Sequence, residues 1–348
     1  MALTKVDPSV VNDQVIGRRN MVYNGKMQVS QRNGTGNTAV GWSNADHFPA
    51  DRWQLLGSSL GNWAFTIGNR PDLTLPDGFG NAVLFECTTA DTSITQGEYI
   101  IFRQKFEGSD LQHLCYGTSS AKEITLSFYI NSTSTGTYLA ELETGSYING
   151  IKFTIDQANT WERKTITFTG NTAASIANTN SAGLSVAFWF AAGSTYQGGT
   201  FVSNTWRNSY AANTRAAGIS NLASSTSNNL YITGIQLEVG DTATPFEHRS
   251  IAEETNLCER YFQIHGGPTG THIWTGDITS GLYYYNMIDM RCQMSRTPTI
   301  TKVGETLSGF NAISIASDSI YGIRAYTLSN TTQARGYYQA RYKLDAEL

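Results

Sequence analysis

The run Glu123-Ile124-Thr125-Leu126-Ser127-Phe128-Tyr129-Ile130 alternates apolar and polar positions, which places Ile124, Leu126, Phe128 and Ile130 on one face of a strand. Comparable runs occur at Val83–Phe85, Tyr99–Phe106, Tyr138–Leu142, Lys152–Ile155, Lys164–Phe168, Leu184–Phe190 and Leu230–Val239. Turn-rich stretches such as 131–136 and 145–150 separate them. Strands of this length and spacing predict an all-β, antiparallel β-sandwich of two sheets packed face to face. After Leu230–Val239 the period changes. Gly240-Asp241 stops the strand, Ser250 and Glu253 stand at capping-box spacing, and Ile251, Leu257, Cys258, Tyr261 and Phe262 share one helical face. A helix from Ile251 to Phe262 is expected. A second, shorter set of strand signals then runs from His272–Trp274 to Gly336–Leu344.

Composition sharpens this picture. Charged residues are only 15% of the 348, whereas Tyr (18) and Phe (15) are abundant, which favours strands over helices. The net charge of −4 and the lack of a Lys/Arg cluster longer than Gly17-Arg18-Arg19 argue against nucleic acid as a partner. No apolar run approaches 18 residues, so neither a membrane span nor a signal peptide is expected. Cys87, Cys115, Cys258 and Cys292 lie far apart and are expected as buried free thiols, not as a zinc site or a disulfide framework. The chain divides into an arm (1–18) expected to order against a partner, a sandwich domain (19–247), a linking helix (248–263) and a smaller C-terminal β-domain (264–348).

Two segments carry a family resemblance. Arg19-Asn20-Met21-Val22-Tyr23-Asn24-Gly25-Lys26-Met27-Gln28-Val29-Ser30-Gln31-Arg32, followed by Ala50-Asp51-Arg52-Trp53, resembles the start of the jelly-roll domain of tailed-bacteriophage tail-fibre and other virion proteins. Gln236-Leu237-Glu238-Val239-Gly240 through Leu257-Cys258-Glu259-Arg260-Tyr261-Phe262-Gln263 resembles its end. The resemblance spans Arg19 to Gln263, and Trp161–Phe168 is similar to a strand common in carbohydrate-binding modules. It implies a jelly roll like that of such modules, in a tail fibre or spike that attaches a virion to host surface polysaccharide by binding without catalysis. The arm would then join other tail or capsid proteins, and the C-terminal domain would close a homotrimer. An architectural role, as a capsid decoration or collar protein, is the alternative. The protein would reside in the virion, assembled in the host cytoplasm.

The residues agree with binding more than with chemistry. The five histidines are scattered, no G-x-S-x-G or H-E-x-x-H stands in the chain, and no paired carboxylates show informative spacing. Sugars stack on aromatic rings while polar side chains hold their hydroxyls. Tyr196 and Gln197, followed by Trp206 and Arg207, have that composition, and Trp42 is a second candidate. Trp53, Trp161 and Trp189 lie in strand patterns and are expected in the core. Related modules often hold calcium, but Asn24-Gly25-Lys26 places an ammonium where their pattern has a carboxylate, so no metal and no cofactor is expected. Leu257, Tyr261, Phe262, Tyr284 and Tyr338 are the candidate contacts between subunits. The helix is too short to stand alone and must dock, with Leu257 at the centre of a threefold contact.

Overall fold

The computed structural model describes residues 18–32, 36–40, 47–58, 64–70, 74–208, 212–266, 271–317 and 319–348. Most of the expected arm, and Trp42, lie outside the described residues. Two compact units make up the chain, Met1–Ile251 and Ala252–Leu348.

The first unit carries β1 (Gly36–Val40), β2 (His47–Ala50), β3 (Trp53–Ser58), β4 (Ala64–Arg70), β5 (Ala82–Thr89), β6 (Tyr99–Glu107) and β7 (Ile124–Ser132). These are followed by β8 (Gly136–Thr144), β9 (Tyr147–Ile155), β10 (Glu162–Phe168), β11 (Ala182–Ala192), the single turn α1 (Ser194–Gln197), β12 (Arg207–Asn208) and β13 (Asn229–Val239). The pairings among these strands are antiparallel. One sheet has the order β1-β4-β5-β13-β7-β10 and the other β12-β9-β8-β11-β6-β3-β2. Sequence neighbours such as β5 and β6 lie in opposite sheets, as a jelly roll requires.

Between the sheets lies a core in which Ile124, Leu126, Phe128 and Ile130 all point inward. Aromatic rings fill its centre. Phe128 and Phe188 meet edge to face at 4.9 Å, and Trp53 stacks on Phe102 at 4.8 Å. Each such side chain contributes about 1.5–3 kcal/mol by leaving water.

The two segments that carry the resemblance are bonded to each other, although they are far apart in sequence. Met21 N donates to Leu237 O at 2.8 Å, and Ile235 N donates to Gly25 O at 3.0 Å. The Asn20 carboxamide accepts from the amides of Val22 (2.9 Å) and Leu237 (3.1 Å), while its own amide donates to Glu247 at 2.7 Å. The buried Arg249 guanidinium donates to the carbonyls of Val22, at 2.9 Å, and Asn20. Asn24 sits at φ 54°, a left-handed position that asparagine tolerates, and its side chain ties Val29 and the Asp51 carbonyl. Gly25 must lack a side chain, because a Cβ there would stand 2.2 Å from Ile235 O. Lys26 donates from Nζ to the Arg249 carbonyl at 3.2 Å. These short polar motifs are therefore a clasp that holds the entry and exit of the sandwich.

In the second unit come α2 (Ile251–Glu259, whose first residue still belongs to the first unit), β14 (Phe262–His265), β15 (Thr271–Ile278), β16 (Tyr283–Asp289), β17 (Thr299–Ser308), β18 (Ser314–Ser317), β19 (Gly322–Leu328) and β20 (Gln333–Asp345). The long β20 is central, with β14 and β15 in succession along one edge and β17 along the other. A second sheet has the order β16-β19-β18. Their shared core includes Met294, Phe310, Ile323, Tyr338 and Leu344.

The helix departs from expectation. It stops at Glu259, because Phe262 begins a strand paired with Asp345. Its buried residues are Glu254, Cys258 and Glu259, while Ile251 is 56% exposed. Glu253 and Glu254 in the first turn suit the positive helix start. At the other end Glu259 pairs with Arg291 at 2.5 Å, and Arg260 O accepts from Ser295 N. The end of the helix is thereby tied to the C-terminal unit. All four cysteines are free, Cys87 and Cys258 buried as expected, but Cys115 and Cys292 only partly so.

Candidate functional site: the outer face of the seven-stranded sheet

Strand β11 is apolar on both faces. Leu184, Val186, Phe188 and Phe190 enter the main core, whereas Ala187 and Trp189 join a separate cluster on the outer face with Ile101, Leu139, Ala216 and Ile219. Directly opposed residues of antiparallel strands share a face, so the register defines rows running across the sheet. In one row Ser185 stands between Glu143 and Lys105. In the next, Ala187 stands between Glu141 and Arg103, and Arg103 faces Gln54. In the third, Trp189 stands between Leu139 and Ile101.

The central strand thus presents small side chains where its neighbours present long charged ones. This makes β11 the floor of a trough with polar walls.

The third row is covered by the segment 194–220. Tyr196 packs on Trp189 (5.3 Å) and edge-on to Tyr99 (5.6 Å), which itself lies 5.9 Å from Trp189. Arg215 fastens the segment down. Its guanidinium meets both oxygens of Glu141, reaches Glu143 Oε2 at 2.8 Å, and lies 4.9 Å over the Trp189 ring. Trp189 Nε1 donates to Glu141 at 3.2 Å. Burial pushes the Glu141 carboxyl up and Arg215 opposes it, while the two carboxylates hold the guanidinium charged. Glu141 is 1% exposed, so it serves the segment and is not open to a ligand. Half-buried Tyr99 and Tyr196, with Arg103, form the accessible aromatic and polar edge of the trough. Arg103 donates to Gln54 Oε1 at 2.8 Å, which fixes its direction.

Of the residues expected to contact sugar, Tyr196 and Gln197 come to this edge, with Gln197 donating to the Ala192 carbonyl. Arg207 lies under the same segment, bonded to Thr214. Trp206 turns the other way: it packs against the main core, meets Tyr116 edge-on at 5.7 Å, and donates from Nε1 to Thr169 O at 2.7 Å. Tyr99, Glu141 and Arg215 were not foreseen. Trp53 and Trp189 are buried as expected, but Trp161 is only half-buried, because it precedes β10 at the sheet edge and lies on the outer face.

The proposed subunit contacts are also redistributed. Tyr261, Phe262 and Tyr338 are 0%, 2% and 0% exposed, which leaves a partner nothing to touch. Leu257 is half-buried, and Tyr284 packs against Trp274 at 4.7 Å. The open face of β16 is instead Tyr283, Tyr285 and Met287, each more than half exposed.

Among the described residues no helix is long and apolar enough to cross a membrane, and no cluster of His, Cys, Asp and Glu could hold a metal ion. Glu238, near the end of β13, accepts from Gln236 and Thr244.

No protein-family model and no curated protein matches the sequence. Solved structures do show similarity. The enzymatically active domain of tailspike protein 4 from bacteriophage CBA120 aligns over 64% of this chain and 22% of its own, at 13% identity and a TM-score of 0.33. A putative sugar-binding protein from Bacteroides thetaiotaomicron aligns over 64% of this chain and all of its own, at 11% identity and 0.33. The module TmCBM61, solved with β-1,4-galactotriose, covers the same shares at 9% identity and 0.31.

Proposed function

We propose that the first unit binds glycan chains, without catalysis, in the trough on its seven-stranded sheet. The observation that carries this is the row arrangement: a floor of Ser185 and Ala187, walls of Glu143, Lys105, Arg103 and Gln54, and an edge of Tyr99 and Tyr196. The half-buried phenols offer faces for the C–H groups of a pyranose, and Arg103 and Lys105 offer donors for its hydroxyls. The buried carboxylate beside this site, Glu141, is consumed by Arg215 and Trp189, so the reading is of recognition without bond cleavage.

Together with the resemblance of the clasp motifs to phage tail-fibre proteins, this supports a virion appendage that attaches to host surface polysaccharide. Several weak sites act together there when copies assemble. Of the eight large apolar residues most exposed among the described residues, five (Leu282, Tyr283, Tyr285, Met287 and Tyr321) lie on or beside β16, which supports assembly through this unit into a homotrimer. Binding of the full-length protein to an array of bacterial polysaccharides and β-glycans tests the site. Tyr99→Ala and Arg103→Ala are expected to weaken capture about tenfold or more, with unfolding unchanged. Capture unaffected by both overturns the assignment. Light scattering tests assembly: Tyr283→Ser with Tyr285→Ser should lower the mass toward the 38.1 kDa of one chain.

A further inference from the structure

The outer face of the opposite, six-stranded sheet carries a second aromatic constellation. Tyr231 on β13 stands directly opposite Asn131 on β7. On the other side of β7, Glu162 of β10 pairs with Ile130, so Trp161, the residue before it, comes level with Asn131. The Trp161 and Tyr231 rings are 6.4 Å apart and inclined at 56°. Their strands are two spacings apart, roughly 9.6 Å, so the rings lean toward each other over the strand between them. The result is a V that closes away from the sheet, an inclined aromatic pair beside the Asn131 carboxamide.

Each part of the V is set for contact. Trp161 Nε1 donates to Thr74 O at 2.8 Å, which orients the indole. Asn131 is half-exposed, and its carboxamide makes no hydrogen bond within the protein among the described residues. It therefore presents both donors and an acceptor to solvent. Both rings are half-buried, open enough to be touched and packed enough to be rigid. Burying Trp161 in the core would have needed the inward phase of β10, which Ile166 and Phe168 occupy.

We infer that Trp161, Tyr231 and Asn131 form a second pyranose-binding site, on the sheet face opposite the trough. The adjoining rings offer a platform to one C–H face of a sugar, and a carboxamide that both donates and accepts reads adjacent hydroxyls. Flat peptide or nucleic-acid ligands would need a longer groove or a basic field, and the V offers neither. The inference shares the sugar chemistry of the trough but rests on different residues. With a site on each sheet, one copy of the chain bridges two glycan strands.

Affinity electrophoresis of the full-length protein in gels containing soluble mixed-linkage β-glucan, β-1,4-galactan or smooth lipopolysaccharide separates the outcomes. The expected result has three parts. Tyr99→Ala, in the trough, leaves residual retardation. Asn131→Ala, which breaks no internal hydrogen bond, lowers retardation with unchanged unfolding. The double variant migrates as in a plain gel. Trp161→Ala should weaken retardation about tenfold or more, the change that 1.4 kcal/mol of lost contact produces, and Trp161→Phe should restore part of it. If Asn131→Ala and Trp161→Ala both bind as the native protein does while Tyr99→Ala abolishes binding, the second site is overturned and the trough stands. The opposite pattern overturns the trough alone. Retardation of the native protein by none of the three polysaccharides overturns both.

Discussion

Replacing Arg215 by Met leaves a similar length of side chain over Trp189 but removes the charge that Glu141 faces. Glu141 is 1% exposed and accepts three hydrogen bonds from that guanidinium, the longest 3.0 Å. Without them a carboxylate remains buried with only the Trp189 N–H as donor. Breaking a buried ion pair from one side costs about 3–5 kcal/mol. For a domain of this size each kcal/mol shifts the melting temperature by about 2–4 °C, so a fall of roughly 6–20 °C is expected near pH 7. The sign with pH follows from linkage. In the variant, burial without Arg215 raises the folded-state pKa of Glu141 further above its unfolded value. The folded protein then binds the extra proton, and stability falls as pH rises from the unfolded pKa through the folded one. Melting followed by circular dichroism from pH 4 to 8 should therefore show the variant nearest the native protein at pH 4 and furthest from it at neutral pH. Adding Glu141→Gln should recover much of the loss. A deficit below about 1 kcal/mol, constant across this range, would mean that the segment 194–220 is held by its apolar contacts and that the ion pair contributes little.

Gly25→Ala should cost about 1–3 kcal/mol or more, since the new methyl must displace the Ile235 carbonyl from a backbone pair; hydrogen exchange at Met21 and Ile235 reports the opened clasp. His265 stacks on Tyr342 at 5.2 Å and bonds to Gln263, and burial together with Arg291 holds its pKa down to about 4. Its neutral form is therefore favoured by folding, and the C-terminal unit should lose stability as pH falls from about 6.5 toward 4, an acid sensitivity that His265→Gln removes in unfolding titrations. Trp206→Ala should lower the melting temperature, because the ring packs on the core and donates to Thr169, and should leave glycan capture in place.

Much of the sandwich was legible because period-2 patterns mark a sheet with one wet face. Apart from the two-residue β12 and the earlier start of β9 at Tyr147, the strands from Ala82 to Val239 appear where alternation or apolar runs predict them. The candidate site was legible only in part, and the reason lies in the covered outer face. Leu184–Phe190 reads as a continuous apolar run, and such a run signals burial on both sides without saying what covers the second side. The phase was present all the same: Trp189 alternates with Phe188 and Phe190, and Glu141 shares its phase with Leu139. A charge and a tryptophan in outward phase on paired strands mark a covered face, but the register that pairs them depends on the fold. Tyr196 was identifiable from its loop composition. Arg215 was not, because nothing local distinguishes it from any other arginine in a loop. The helix was overextended because Tyr261 and Phe262 continue its apolar stripe, and only β20, some eighty residues later, converts Phe262 into a strand.

The clasp at the sandwich entry has a consequence for synthesis. Its bonds between the two segments join residues 210 to 229 positions apart, from Gly25 with Ile235 to Asn20 with Arg249. A ribosome must therefore make nearly the whole sandwich before the segment 19–32 can settle. Until then Asn20, Asn24 and the Met21 amide stay solvated, and the growing chain waits with an open edge at β13's future place. Pairings so distant in sequence close slowly. Prematurely terminated products that lack 235–249 would carry a permanently loose start, a molecular mark by which a protease can distinguish an unfinished copy from a complete one.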